Sequence, residues 1–177
     1  MPNWCANSVT LTHSDPAQVD AAIAAYQQGQ LLAHFVPLPG GEWDYNFCVN
    51  HWGTKWDVGG SDADFDRLDA NTVTLNFDSA WAPPCDAYRQ MCQQGFGVDA
   101  WYWEPGMAFC GRFTGSIDGH QDDCREYSDE DNNSIRSAIG EELDDFWGIS
   151  ESMADWDDEN LDIDLDDGVS AVNENHD

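Results

Sequence analysis

Apolar and polar positions alternate along SVTLTH (Ser8–His13) and again along TVTLNF (Thr72–Phe77), the two-residue period of half-buried strands. Between them the period changes. Pro16 follows Ser14 and Asp15, and Val19, Ile23 and Tyr26 then recur at i, i+4 and i+7, which predicts a helix near 16–28 closed by Gly29. Glu42–Val58 is aromatic and irregular and reads as a short helix followed by a strand. Pro83 and Pro84 open a second helix, near 84–94, with Tyr88, Met91 and Cys92 on one face and Gly95 at its end. Val98–Trp103 and Met107–Thr114 read as strands joined by a turn at Glu104-Pro105-Gly106.

Beyond Ile117 the pattern is carried by acids. Ser134 is placed to cap a helix whose Ile135, Ile139, Leu143 and Phe146 form one stripe, with Glu141, Glu142, Asp144 and Asp145 on its other faces. After Ser150 a second short helix turns Met153 and Trp156 inward and Asp155, Asp157, Asp158 and Glu159 outward. Leu161, Ile163 and Leu165 then alternate with Asp162, Asp164 and Asp166, followed by Asp167, giving a strand with one apolar and one carboxylate face. The whole order, β-α-β-β-α-β with an extra strand, predicts an α+β fold: a ferredoxin-like (split βαβ) antiparallel sheet with two helices on one face, plus an acidic C-terminal helical and strand extension. The expected division is an aromatic-rich domain over 1–117 and an acidic segment over 118–177 packed on it.

Composition sharpens that division. Of 177 residues, 41% are hydrophobic and 12% aromatic, enough apolar surface for a packed core. There are 35 Asp and Glu against six Lys and Arg, a net charge of -29, and Lys55 is the only lysine. Residues 1–117 hold 13 acids and four bases, a balance of -9; residues 118–177 hold 22 acids and two bases, a balance of -20. Seven of the nine tryptophans lie in the first part. Such charge repels phosphate, which argues against direct binding to nucleic acid or an anionic membrane. No apolar run reaches the roughly 18 residues of a membrane span. The N-terminus shows no basic and apolar signal segment, so a cytoplasmic protein, in a host cell, is expected.

The motifs MPNWCANSVTLT at the start, HWGTKWDV at 51–58, FDSAWAPP at 77–84 and WYWEPGMAFCGRF at 101–113 resemble the YubB ferredoxin-like domain family of conjugative plasmids and phages. The resemblance covers about the first two thirds of the chain. It implies a mobile-element origin and the α+β fold, and implies no activity.

Candidate chemistry is sparse. The six cysteines (Cys5, Cys48, Cys85, Cys92, Cys110, Cys124) include no C-x-x-C pair, and read as buried thiols rather than disulfides or zinc ligands. The runs from Asp162 and from Asp129 begin like calcium loops. Both lack Gly at the sixth position (Asp167, Ser134) and Glu at the twelfth (Asn173, Gly140). No nucleophile or phosphate-loop motif is present, so no catalytic residue, cofactor or metal is assigned. Lys55 and Asp57, with Trp52, Trp56, Trp81 and Glu104, could line a pocket for a small molecule or nucleotide; structural packing of the indoles is the stronger reading.

The acidic rows carry the functional expectation. Carboxylates two apart on a strand sit roughly 6.5 Å apart and helical i, i+4 pairs about 6 Å, close to two phosphate steps of about 3.4 Å each. The partner-binding set is therefore Glu141, Glu142, Asp144, Asp145, Asp155, Asp157, Asp158, Glu159, Asp162, Asp164, Asp166 and Asp167. The expected function is that of a non-enzymatic anti-defence inhibitor, a nucleic-acid mimic that blocks a host protein with a basic groove, such as a CRISPR effector, restriction complex or nuclease. The alternatives are an enzyme using the Lys55 and Asp57 pocket, an acidic metal-binding accessory module, and a charged surface that only solubilises the chain or suits high salt.

Overall fold

The computed structural model of the chain describes residues 3–131 and 134–154. They fall into two compact units, one ending at Ser128 and the other beginning at Asp129. Among the described residues of the first, six strands form one antiparallel sheet: β1 (Trp4–Thr12), β2 (Asp64–Arg67), β3 (Thr72–Ala80), β4 (Gly97–Glu104), β5 (Phe109–Ser116) and β6 (Gly119–Glu126). The helices are α1 (Pro16–Gln27), α2 (Leu31–Phe35), α3 (Tyr45–His51) and α4 (Cys85–Gln93). The sheet order is β2-β3-β1-β4-β5-β6. Its first four strands have the ferredoxin-like arrangement, with α1 and α4 as the crossovers, and β5 and β6 continue it as a meander.

The central strand explains the arrangement. Cys5, Asn7, Val9 and Leu11 of β1 point to one face in strict alternation and are buried. Val9 lies opposite Leu75 and Ala100, and Leu11 opposite Val73 and Val98, so three strands present one apolar layer. Val19, Ile23 and Tyr26 of α1 and Tyr88, Met91 and Cys92 of α4 pack into the same core. Each such aliphatic or aromatic side chain contributes about 1.5–3 kcal/mol on burial.

One polar residue sits in that layer. The Asn7 side-chain amide donates to Cys5 O (2.7 Å) and Ser79 Oγ (2.8 Å), and its oxygen accepts from the Tyr88 hydroxyl (3.1 Å). These bonds tie β1 to β3 and α4. Burial of Tyr88 pushes its phenol well above the usual range, so it stays a donor.

Three expectations are corrected. The sheet does not end near Thr114: residues 119–126 form β6 instead of opening an acidic segment at 118, and the first unit runs on to Ser128. The strand expected within Glu42–Val58 is absent there; a turn fills that stretch after α3, and β2 comes later, at Asp64–Arg67. Both missed strands lie at sheet edges, where the exposed carboxylates of Asp64, Asp66, Asp122 and Glu126 oppose pairing with another strand.

In the second unit, α5 (Ile135–Ile139) and α6 (Glu141–Trp147) replace the single helix expected from Ser134. Gly140 interrupts it at φ 89° and ψ 152°, a conformation few other residues adopt. Ile135, Ile139 and Leu143 are buried, whereas the change of direction leaves Phe146 exposed. The Ser134 side chain makes no cap bond to the helix and donates instead to Asp131 O; the Asp131 carboxylate accepts from Ser134 N. Residues 149–154 are again helical.

Replacing Asn7 with Ala should lower stability by about 1–3 kcal/mol, because the Tyr88 hydroxyl and Ser79 lose their buried partner. In urea unfolding, adding Tyr88→Phe to Asn7→Ala should cost less than the two single changes together.

Candidate functional site

The turn after α3 sorts its side chains inward and outward. Gly53, at φ 88°, lets the chain reverse beside the start of α4, where Ala87 N donates to Trp52 O (3.2 Å). Trp52 is buried and its indole N–H donates to Val36 O (2.9 Å). Thr54, also buried, donates its hydroxyl to Ala80 O (2.8 Å). Asp57 accepts from Leu32 N (2.7 Å), Ala33 N (2.9 Å) and Val58 N (2.8 Å), so it caps α2 from a distant part of the chain. Burial pushes the Asp57 carboxyl above its ordinary range, and the three backbone donors pull it partly back. Glu104, buried on β4, accepts from Gly106 N and Met107 N and closes the β4–β5 turn. Trp52, Asp57 and Glu104 thus each hold backbone of the fold, while Trp56 is turned outward.

Lys55 lies on indole faces. Its Nζ is 4.4 Å from the centre of the Trp56 ring and 5.2 Å from that of Trp81, within cation–π range. Trp4 packs beside Trp56 with centroids 6.0 Å apart, and Tyr45 meets Trp81 edge-on at 6.4 Å. The Trp43 indole N–H donates to Lys55 O (3.1 Å). Trp4, Trp43, Tyr45, Trp56 and Trp81 are all between 38 and 54% exposed, and these contacts make them one continuous aromatic surface. Trp81 sits at φ 70°, a strained backbone for a bulky residue, held by its N–H donating to Asn3 O (2.9 Å). Three of the motif segments read in the sequence meet here: Trp4 from the first, Lys55 and Trp56 from the second, Trp81 from the third. Sequence reasoning missed Trp4, Trp43 and Tyr45. The signal for Trp4 was present, since it falls in phase with the outward Ala6 and Ser8 of β1.

The cations are distributed with equal economy. All five arginines are ion-paired within the chain: Arg67 with Asp20, Arg89 with Asp86, Arg112 with Asp99, Arg125 with Asp123, and Arg136 with Asp144 and Asp145. Arg125 beside Asp123 holds that carboxyl below its usual range. Arg112 makes two contacts with Asp99 (2.8 and 2.9 Å) while its guanidinium lies 4.3 Å from the Trp101 ring centre.

Of the acids expected to face a partner, α6 displays Glu141, Glu142 and Asp145 on its exposed side, with Asp145 also contacting Arg136 (2.6 Å). Glu141 and Glu142 lie in the first turn, where the helix dipole favours negative charge. Asp144 is a correction: it is buried and turned inward, accepting from Arg136 Nη1 (2.8 Å), Ser150 N (2.8 Å) and Ser150 Oγ (2.7 Å). It joins α6 to the helical stretch that follows. Asp155, Asp157, Asp158, Glu159, Asp162, Asp164, Asp166 and Asp167 lie outside the described residues, as does the calcium-like run from Asp162. Among the described residues, no group of three or more His, Cys, Asp and Glu side chains is placed to hold a metal ion. No described helix is long and apolar enough to cross a membrane.

Burial alone would raise the Asp144 carboxyl, but the Ser150 donors and Arg136 outweigh it and hold the group below its ordinary range. A lowered folded value means that the stabilisation is present above the unfolded value near 3.8 and is lost as pH falls through the folded one. Asp144→Asn should therefore speed amide exchange at Ser150 near neutral pH, by an opening free energy reduced by about 1–3 kcal/mol. The difference from wild type should shrink once the pH is below the carboxylate range.

Comparison with known proteins bears on the same residues. The family described as the ferredoxin-like domain in Api92-like protein matches residues 52–151, a stretch that begins at Trp52 and includes Lys55, Trp56, Trp81, β2 to β6 and α4 to α6. A solved structure of the protein Api92 from Yersinia pseudotuberculosis is 23% identical over 48% of this chain and 30% of that one, with a TM-score of 0.40. The aligned part is thus less than a third of that protein's length. A search of curated proteins gives no match. The likeness to YubB proteins rests on the four motifs alone. With more than half of its residues matched, the chain belongs to the family of the ferredoxin-like domain in Api92-like protein.

Proposed function

We propose that the protein is a non-enzymatic interaction protein that presents carboxylates to a basic, nucleic-acid-handling partner in the cytoplasm of a host cell. The observation that carries this reading is the pairing of every arginine with a carboxylate of the same chain, with the one lysine laid on two indoles. Thirty-five acids set against cations placed in this way leave the long-range field of the molecule negative. Such a field speeds encounter with a basic groove, and displayed acids such as Glu141 and Glu142 can stand where phosphates would stand. The motif likeness to proteins of plasmids and phages supports a mobile-element origin. Such an element gains by blocking a host nuclease, restriction complex or CRISPR effector, and nucleic-acid mimicry is the mechanism we assign to it.

The test uses the full chain immobilised and exposed to bacterial lysate, with release by duplex DNA or structured RNA as the readout. Bound protein should be released by nucleic acid and by rising salt. Combining Glu141→Gln, Glu142→Gln and Asp145→Asn with Asp162→Asn, Asp164→Asn and Asp166→Asn should weaken capture at least about tenfold, each lost charge-assisted contact contributing on the order of 1–3 kcal/mol. Asp144 is left unchanged because it holds the fold. Undiminished capture by this variant, together with no release by nucleic acid, would overturn the reading.

A further inference from the structure

We propose that the aromatic surface formed by Trp4, Trp43, Tyr45, Trp56 and Trp81 is a docking site for arginine side chains of a protein partner; this rests on the reading above that the partner is basic.

Two ring pairs, Trp4 with Trp56 and Tyr45 with Trp81, meet across Lys55 with Trp43 bonded to its backbone; all five rings are more than a third exposed, and clustered apolar exposure of this kind marks an interaction surface. The strain at Trp81 points the same way. A residue held at φ 70° presents its indole outward, and strain is retained where the surroundings over-determine it, often at ligand clamps.

The occupant follows from charge. The faces of aromatic rings are electron-rich and attract cations, and Lys55 already lies on two of them. Exposed acids stand among the rings in sequence: Glu42 and Asp44 flank Trp43 and precede Tyr45, and Asp78 lies on the strand leading to Trp81. An anionic ligand is repelled by a chain of charge -29. A guanidinium is weakly hydrated and planar, so it can stack on a ring while its edge meets a carboxylate; an ammonium holds its water more strongly and cannot stack. The protein uses this geometry internally, where Arg112 lies over Trp101 and pairs with Asp99 through two nitrogens. The exposed surface offers the same two components to a partner.

The experiment titrates the full chain with acetylated nona-arginine and, separately, nona-lysine peptide, following assigned indole N–H resonances at low and high salt. The arginine peptide should bind about three- to tenfold more tightly. It should shift the resonances of Trp4, Trp43, Trp56 and Trp81 ahead of that of Trp147, and the preference should persist at high salt after overall affinity has fallen. Trp43→Leu with Tyr45→Leu should abolish the preference, bringing the arginine-peptide affinity down to that of the lysine peptide. Trp43→Phe with Tyr45→Phe should restore it, which separates loss of the rings from damage to the fold. Equal affinity for the two peptides overturns the proposal. Concentration-dependent shifts without peptide would assign the surface to a second copy, and indoles already shielded in the free protein would assign it to the chain's own residues; either also overturns it. An arginine preference with no partner that nucleic acid releases would overturn the proposed function and leave this docking site standing; the reverse result would remove the docking site alone.

Discussion

Repulsion among 35 carboxylates, opposed by six basic residues, is the constraint to which the rest of the molecule answers. Self-repulsion opposes compaction, so cohesion must come from elsewhere. Apolar layers on β1, β3 and β4 supply it, packed under α1 and α4. The arginines are placed to relieve local crowding of charge. Arg67 joins β2 to Asp20 on α1, Arg112 and Arg125 each neutralise an acid on the sheet, and Arg136 secures the inward Asp144. Exposed pairs of this kind contribute little individually, about 0–1 kcal/mol. Their importance here is spatial, since each fixes where positive charge sits. The Arg136 and Asp144 pair differs because one partner is buried and also hydrogen-bonded to Ser150.

The same constraint decides what the sequence revealed. Interior strands were legible because burial on one face enforces alternation, as along Val9 and Leu11 or Val73 and Leu75. The β4–β5 hairpin was legible from its Pro-Gly turn. The edge strands β2 and β6 were not, because an edge is protected by charge in place of an apolar stripe, and DFDR or GHQDDCRE reads as a solvated loop. The break at Gly140 was hidden for a different reason. Glycine inside a helical period is tolerated often enough that only its backbone conformation separates a weak point from a corner.

The candidate site divides along similar lines. Asp57 was singled out as a group of interest, but its role as a cap for α2 depends on residues 24 and 25 positions away, for which no local pattern exists. Asp144 was read as one more member of an acidic run; its neighbour Asp145 is exposed, and one helical step of about 100° separates burial from display. The aromatic surface assembles from β1, the stretch before α3 and its first residue, the turn after that helix and the residue that follows β3. Its continuity exists only in three dimensions.

Two kinds of cation recognition with different reach therefore coexist in one chain. Carboxylates act over distance, yet at physiological ionic strength their attraction decays over about 8 Å, and it weakens further with salt. Ring faces act only at contact, where water has been displaced and screening matters less. Under the proposed reading the first governs how fast a basic partner is encountered, and the second governs how long it stays and whether arginine is distinguished from lysine. Placing Lys55 on the indoles of Trp56 and Trp81 serves both ends. It keeps the chain's only lysine on ring faces and off the carboxylates that must remain available, and it shows that the faces of these two exposed rings accept a cation.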